Sequence, residues 1–452
     1  MSNFCTSLRR LIVLLLLSTP AAAVEVDLTR HFSTYSSVNS KMELPFFGVP
    51  GEARLIVSAS PDTRATISLN GEMVFTFDGE MNSPEEQKIT LQESNTISVE
   101  SIGEYPVMVR IKQRADITLN VQSRIHFNAN VLDFEAARAF YGMLGFDTIS
   151  GFPDTNTLAM ARAIGIKTPT EYDGSKGDFA GGYLLHGELI GPDGFWGGVI
   201  DLIEFTIPRN EEPPYESVNR LGMASAAMLT TDIGSDYAYM QAQGVEMLSA
   251  PVTRADGSRF LVFKDLDGVF YELIETEGEV VESTTTQIYK LDHVGINVSD
   301  LETSTAWYQM FGYEKTSSLP STESEEVARA MGFDRAFERK GHRVTHVRDA
   351  STFELVQWIT PFDARPPYPI PVNHLGIHRT AFATTDIEAD VAALRAQGVE
   401  FVSPITPCCS GDDSSSSIIA FYDPDGTIVE LAQQPYWLGV VLDVIGWFRS
   451  VF

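Results

Sequence analysis

The chain has 452 residues, 44% of them apolar, which suits globular cores and is too long for one ordinary domain. It carries 32 Lys and Arg against 61 Asp and Glu, a formal net charge of −29. That imbalance argues against nucleic acid as a partner, because phosphate recognition needs a basic face. It suits a surface adapted to a salty or extracytoplasmic setting.

Residues 1–23 read as an export signal. Arg9 and Arg10 form a basic start, Leu11 to Leu17 a short apolar run, and Ala21-Ala22-Ala23 a small-residue cleavage site. The expected location is therefore the bacterial periplasm or the exterior. Residues 24–120 read as a small all-β sandwich. Ala65–Leu69 and Met73–Phe77 alternate around Asn70-Gly71, the strongest short hairpin signal. No cluster of His, Cys or carboxylates at ligand spacing occurs there, so an accessory or interaction module is expected.

From Arg124 onward the chain repeats itself. RIHFNANVLDFEAARAFYGMLGF (Arg124–Phe146) returns as KLDHVGINVSDLETSTAWYQMFGY (Lys290–Tyr313), with His126 and His293, Phe140 and Trp307, and Gly145 and Gly312 each 167 positions apart. Met160–Ile166 answers Val327–Phe333 at the same offset. Thr230-Thr231-Asp232 answers Thr384-Thr385-Asp386 at an offset of 154, so the first copy has about 13 extra residues, placed in the Gly-rich segment Gly181–Gly198. Both copies close on an Asp-x-Asp-Gly turn and a strand, Phe270–Ile274 and Ile428–Leu431. In the first copy a helix is expected over Asp133–Leu144, a strand over Val199–Phe205, and a second strand–helix unit at Ala224–Thr230 and Asp232–Gln243. In the second copy Ser299 and Glu302 suggest a capping box, Thr352–Trp358 a strand, and Thr385 with Glu388 a second cap. Asn210–Pro214 and Pro361–Pro371 read as connections between half-units, and Glu275–Thr286 as a linker. The apolar tail, 435–452, contains Asp443 and Arg449. It reads either as a helix docked on a core or partner chain, or as a peripheral membrane contact. Cys408 and Cys409 are adjacent in a loop; a neighbour-to-neighbour disulfide, a bridge between chains and two plain loop residues all fit.

An early-strand histidine, a helix ending in an aromatic pair, and a closing Asp-x-Asp-Gly-x-x-x-Glu-Leu strand resemble the vicinal oxygen chelate superfamily. That group includes glyoxalase I, extradiol dioxygenases and bleomycin-resistance proteins. The resemblance implies an α+β chain: two tandem domains of paired βαβββ units, 123–278 and 288–434, behind the sandwich. It implies a small oxygenated molecule as ligand, a divalent ion (Fe, Mn, Ni or Zn), and ligands from the first and fourth strand of each unit. Carried over residue by residue, these are His126, Asp201, Ser225 and Glu272 in the first repeat, and His293, Glu354, Arg379 and Glu430 in the second. The third position departs from the family, which usually has histidine there. His126, Asp201, Glu272, His293, Glu354 and Glu430 are the candidate metal ligands, and Glu354 is the candidate base. Arg379 and His346 are candidate substrate contacts, His346 at the cup or its rim. Strand alternation points His378 out of the cup, and His374 precedes the strand. Phe195 and Trp196 are candidates for a lid. The resemblance supports a metal-dependent lyase, isomerase or dioxygenase. A metal-free binding or sequestering protein is its rival, because Arg379 could pair with Glu430 or grip an anion. A homo-oligomer is left open.

Overall fold

The structure is a computed structural model. It describes residues 24–33, 40–47, 50–58, 63–78, 85–92, 94–102, 107–117, 119–151, 157–166, 183–195, 198–278, 285–321, 323–408, 414 and 416–434. The expected export signal, Trp196, Cys409 and the apolar tail lie outside these residues, as does the side chain of Phe195.

Among the described residues, eight strands form the N-terminal sandwich: β1 (Val24–Ser33), β2 (Ser40–Phe47), β3 (Gly51–Ser58), β4 (Arg64–Leu69), β5 (Glu72–Asp78), β6 (Glu85–Leu91), β7 (Ser94–Ile102) and β8 (Met108–Ile117). They pair antiparallel as β1-β8-β3-β6 and β2-β7-β4-β5. Alternate residues of both sheets meet in one core that includes Leu55, Val57, Ile67, Ile97, Val99 and Ile111. The β4–β5 hairpin turns at Asn70 and Gly71, with φ of 53° and 83°. Two positive φ values in succession are what this turn requires.

The first repeat supplies β9 (Val121–Asn130), α1 (Phe134–Met143), β10 (Asp147–Gly151), α2 (Leu158–Ala163), β11 (Leu184–Phe195) and β12 (Ile200–Ile207). Its second half supplies β13 (Gly222–Thr230), α3 (Ile233–Ala242), β14 (Val252–Thr253), β15 (Arg259–Lys264) and β16 (Phe270–Glu275). The second repeat gives β17 (Ile288–Asn297), α4 (Leu301–Gln309), β18 (Tyr313–Ser318), α5 (Glu325–Ala330), β19 (Glu338–His346) and β20 (Thr352–Thr360). It ends with β21 (Gly376–Thr384), α6 (Ile387–Ala396), β22 (Thr406–Pro407), β23 (Ser417–Tyr422) and β24 (Ile428–Gln433). The class is α+β, as expected. Helix caps sit one residue later than the sequence suggests. Asp300 accepts from the Thr303 amide at 2.8 Å, while the Ser299 amide donates to Asp425. Asp386 likewise caps α6 through Ala389. In each, the aspartate carboxylate accepts from a free backbone amide of the helix's first turn.

The repeats do not each close on themselves. One eight-stranded sheet runs β10-β11-β12-β9-β21-β24-β23-β22 and the other β14-β15-β16-β13-β17-β20-β19-β18. Each sheet joins half of one repeat to half of the other, through the antiparallel seams β9–β21 and β13–β17. Two equivalent asparagines fasten the exchange. Asn130 donates to the carbonyls of Val372 and His374, and Asn297 to those of Val218 and Arg220. Each therefore satisfies buried backbone acceptors of the other repeat's connecting segment. The faces away from the cups share one core, which holds Phe127, Tyr141, Leu202, Tyr271, Phe311, Phe353 and Phe382. There the Tyr141 hydroxyl donates to Asp265 at 2.9 Å and that of Tyr308 to Asp423 at 3.3 Å, fixing each Asp-x-Asp-Gly turn to its own repeat's helix.

Candidate functional site

The exchange regroups the candidate residues, correcting their assignment by repeat. His126 and Asp201 share the first cup with Arg379 and Glu430. His293 and Glu354 share the second with Ser225 and Glu272. The cause is register: Arg379 lies opposite Asn128 and beside Ile428, whereas Ala227 lies between His293 and Glu272. In the first cup Arg379 Nε lies 3.1 Å from Glu430 Oε1, both nearly fully buried. His126 Nδ1 is 3.8 Å from Asp201 Oδ2, to which Asn128 also donates. Burial, with the Arg379 and Arg124 guanidiniums nearby, pushes His126 down to about 3. Burial pushes Asp201 up to about 7 and raises Glu430, with Arg379 opposing both. An apolar layer including Met160, Tyr183, Leu185, Ile203, Phe205 and Ile418 lines this cup.

The Asp201 shift sets a pH dependence. Its folded pKa lies above the ordinary carboxylate value, so the folded chain binds the extra proton and loses this stabilisation as pH rises from about 4 to about 7. Relative to the parent, Asp201→Asn should therefore gain stability across that interval. Denaturant midpoints of both proteins at several pH values check this; a constant difference would refute it.

The second cup holds more charge. His293 Nδ1 lies 3.0 Å from Asp292 Oδ2 and its Nε2 3.4 Å from Glu354 Oε2. Burial disfavours the imidazolium, but Glu354 and Asp292 outweigh it and raise the His293 pKa. Burial also works on Asp292, yet His293 and Arg343 hold its carboxyl well below the usual range. Arg343 pairs with Asp292 and stands 3.6 Å from Glu354 Oε1. Arg254 grips Glu272 at 2.7 Å and lies over the Phe260 ring. Arg339, 5% exposed, stacks near Phe337 and Trp358. Sequence reasoning missed Asp292, Arg254, Arg339, Arg343 and Glu323. A comparison of paired positions carries the signal: Leu185 and Leu189 face Phe205 and Asp201, where Arg339 and Arg343 face Trp358 and Glu354.

Several candidates lie elsewhere. His346 is not a cup residue: alternation along β19 puts it opposite the Arg339 and Arg343 face, buried against Tyr313 and 3.0 Å from Asp349. His374 stacks on Tyr368 and meets Asn210. A register shift between Ile377 and Arg379 makes His378 the extra residue of a bulge, so simple alternation fails there. Ser225 Oγ lies 2.8 Å from where a Cβ on Gly295 would stand. Cys408 is disulfide-bonded, its partner lying outside the described residues.

A divalent ion needs several oxygen or nitrogen donors turned on one point. Among the described residues no three His, Cys, Asp or Glu side chains are so grouped. Glu430 is instead held by Arg379 and Glu272 by Arg254. A guanidinium beside the donors repels a cation, so the residues present do not fit a resident metal.

Residues 124–273 and 290–431 match the Glyoxalase/Bleomycin resistance protein/Dioxygenase superfamily. The match spans well over half of the chain, and the protein belongs to that superfamily, with small-molecule-binding domains of its type. No curated protein matches significantly. Among solved structures, glyoxalase I from Zea mays is similar at 15% identity and a TM-score of 0.45, over 69% of this chain and 92% of that one. A mutant 4-hydroxymandelate synthase from Streptomyces coelicolor matches at 14% and 0.23, over 73% and 100%. An Mn(II)-bound glyoxalase from Novosphingobium aromaticivorans matches at 13% and 0.22, over 70% and 83%.

Proposed function

We propose that the protein binds a small oxygenated molecule in the second cup without a metal ion. One observation carries this reading: guanidiniums stand beside the strand carboxylates, Arg254 at 2.7 Å from Glu272 and Arg343 at 3.6 Å from Glu354. These groups can orient oxygen atoms of a ligand by charge-assisted hydrogen bonds, the role a metal would otherwise fill. The second cup is the working one because its carboxylates stay more accessible. Glu354 and Glu272 are 17% and 14% exposed at the side chain, against 9% and 4% for Asp201 and Glu430. The first cup then serves mainly to brace the exchanged sheets.

The His293–Glu354 contact favours a second reading, proton-transfer catalysis in the same cup. Glu354 would accept a proton from bound substrate, and the His293 imidazolium, positioned by Asp292, would donate one. The metal-dependent glyoxalase or dioxygenase version finds no matching donor set among the described residues. Export through residues 1–23 is part of the proposal, and cell fractionation checks it.

Thermal-shift screening of small oxygenated acids, with chelator present, tests the binding reading. Stabilisation should persist in chelator and fall about tenfold or more in affinity in Arg343→Met, which removes a charged donor. Stabilisation that appears only when a divalent ion is restored would overturn it.

A further inference from the structure

We propose that the ligand of the second cup is a small zwitterion, whose anionic group meets Arg339 and whose cationic group meets Glu323. This rests on the binding reading above and names the ligand class. Among the described residues, the other charges named in this cup each also hold a protein partner. Arg254 holds Glu272, Arg343 holds Asp292, and His293 lies between Asp292 and Glu354. Arg339 and Glu323 differ. Among the described residues the Arg339 side chain has no hydrogen bond or ion pair, and its buried Nε is without a partner. Glu323, 8% exposed, has neither carboxylate oxygen bonded.

The two groups belong to one site. The Arg339 amide donates to the Ser321 carbonyl at 2.9 Å, which brings the segment leading into α5 beside β19. Glu323 acts electrostatically on both Arg339 and Arg254. Yet Arg339 and Glu323 form no ion pair with each other, so two buried charges of opposite sign stand in one region without neutralising each other directly. Leaving either uncompensated is costly. A simple anion would answer Arg339 and leave Glu323; a simple cation would do the reverse. One molecule carrying both charges answers both. The rings of Phe337 and Trp358 keep the guanidinium directed and dry through cation–π contact. At the position of Arg339 the first cup has the apolar Leu185.

The test is calorimetric titration and thermal shift of the full chain, in chelator, with three probe sets: free L-amino acids, the matching 2-hydroxy acids, and inorganic phosphate. An amino acid should bind at least about tenfold more tightly than its hydroxy-acid counterpart, and Arg339→Met and Glu323→Gln should each weaken it about tenfold or more. Without ligand, Arg339→Met should melt no lower than the parent, since it removes an unpaired buried cation; Arg339→Gln provides the same readout should the methionine variant not fold. Hydroxy acids or phosphate binding as well as amino acids would overturn the zwitterion assignment and leave the cup reading standing. No stabilisation by any probe set would overturn both. Unchanged amino-acid affinity in the two variants would also overturn the assignment.

Discussion

Arg379→Met is expected to destabilise the folded chain by about 3–5 kcal/mol, the usual cost of leaving half of a buried ion pair. Arg379 is the cation that answers Glu430, at 3.1 Å with both side chains almost fully buried, and Asp201 lies in the same cup. Burial already raises both carboxyl pKa values, so protonation offers a partial escape. The loss should therefore shrink as pH falls. Arg379→Met combined with Glu430→Gln should recover most of it, because the stranded charge is gone. Urea unfolding of the two single variants and the double variant measures the coupling. An Arg379→Met protein as stable as the parent at neutral pH would show that the pair does not brace the first cup.

A larger effect is expected from separating the repeats. Residues 119–278 or 285–434 expressed alone would each lose the β9–β21 and β13–β17 seams, leaving two half-sheets with open edges. The carbonyls held by Asn130 and Asn297 would lose their donors, and the shared core around Phe311, Phe353, Tyr271 and Phe382 would open to water. Either fragment should be unfolded, aggregated, or paired with a second copy of itself. The two fragments produced together should reassemble. Size-exclusion chromatography and circular dichroism distinguish these states. A monomeric, cooperatively folding single repeat would contradict the exchange.

Much of the unit architecture was legible because it is local. The offset shared by His126 and His293, the Asp-x-Asp-Gly turns and the alternation of β12 and β20 are properties of short segments. The exchange was not legible. β21 presents the same pattern to β17 as to β9, and no short segment states which seam forms; the choice belongs to the whole chain. That is why Arg379 was grouped with His293 rather than with His126. The face of His346 was not legible because alternation says which residues of a strand share a face, not which face turns to the cup. Arg339 and Arg343 were missed because arginines on a strand usually mark its solvated side. Only their pairing with Trp358 and Glu354 places them in the cup. Glu323 lies in a short segment before α5, where no periodicity points to burial.

The family relationship defines the fold, and one fold hosts many chemistries. In this chain the decisive difference lies in the partners of the inherited carboxylates. The most direct test is metal content, by mass spectrometry, of the full chain purified without chelator and then loaded with iron, manganese, nickel or zinc, beside His293→Ala. The account predicts well under one equivalent of each ion and no difference between the two proteins. About one equivalent of a transition metal in the parent, lost in His293→Ala, would contradict it and make the second cup a metal centre.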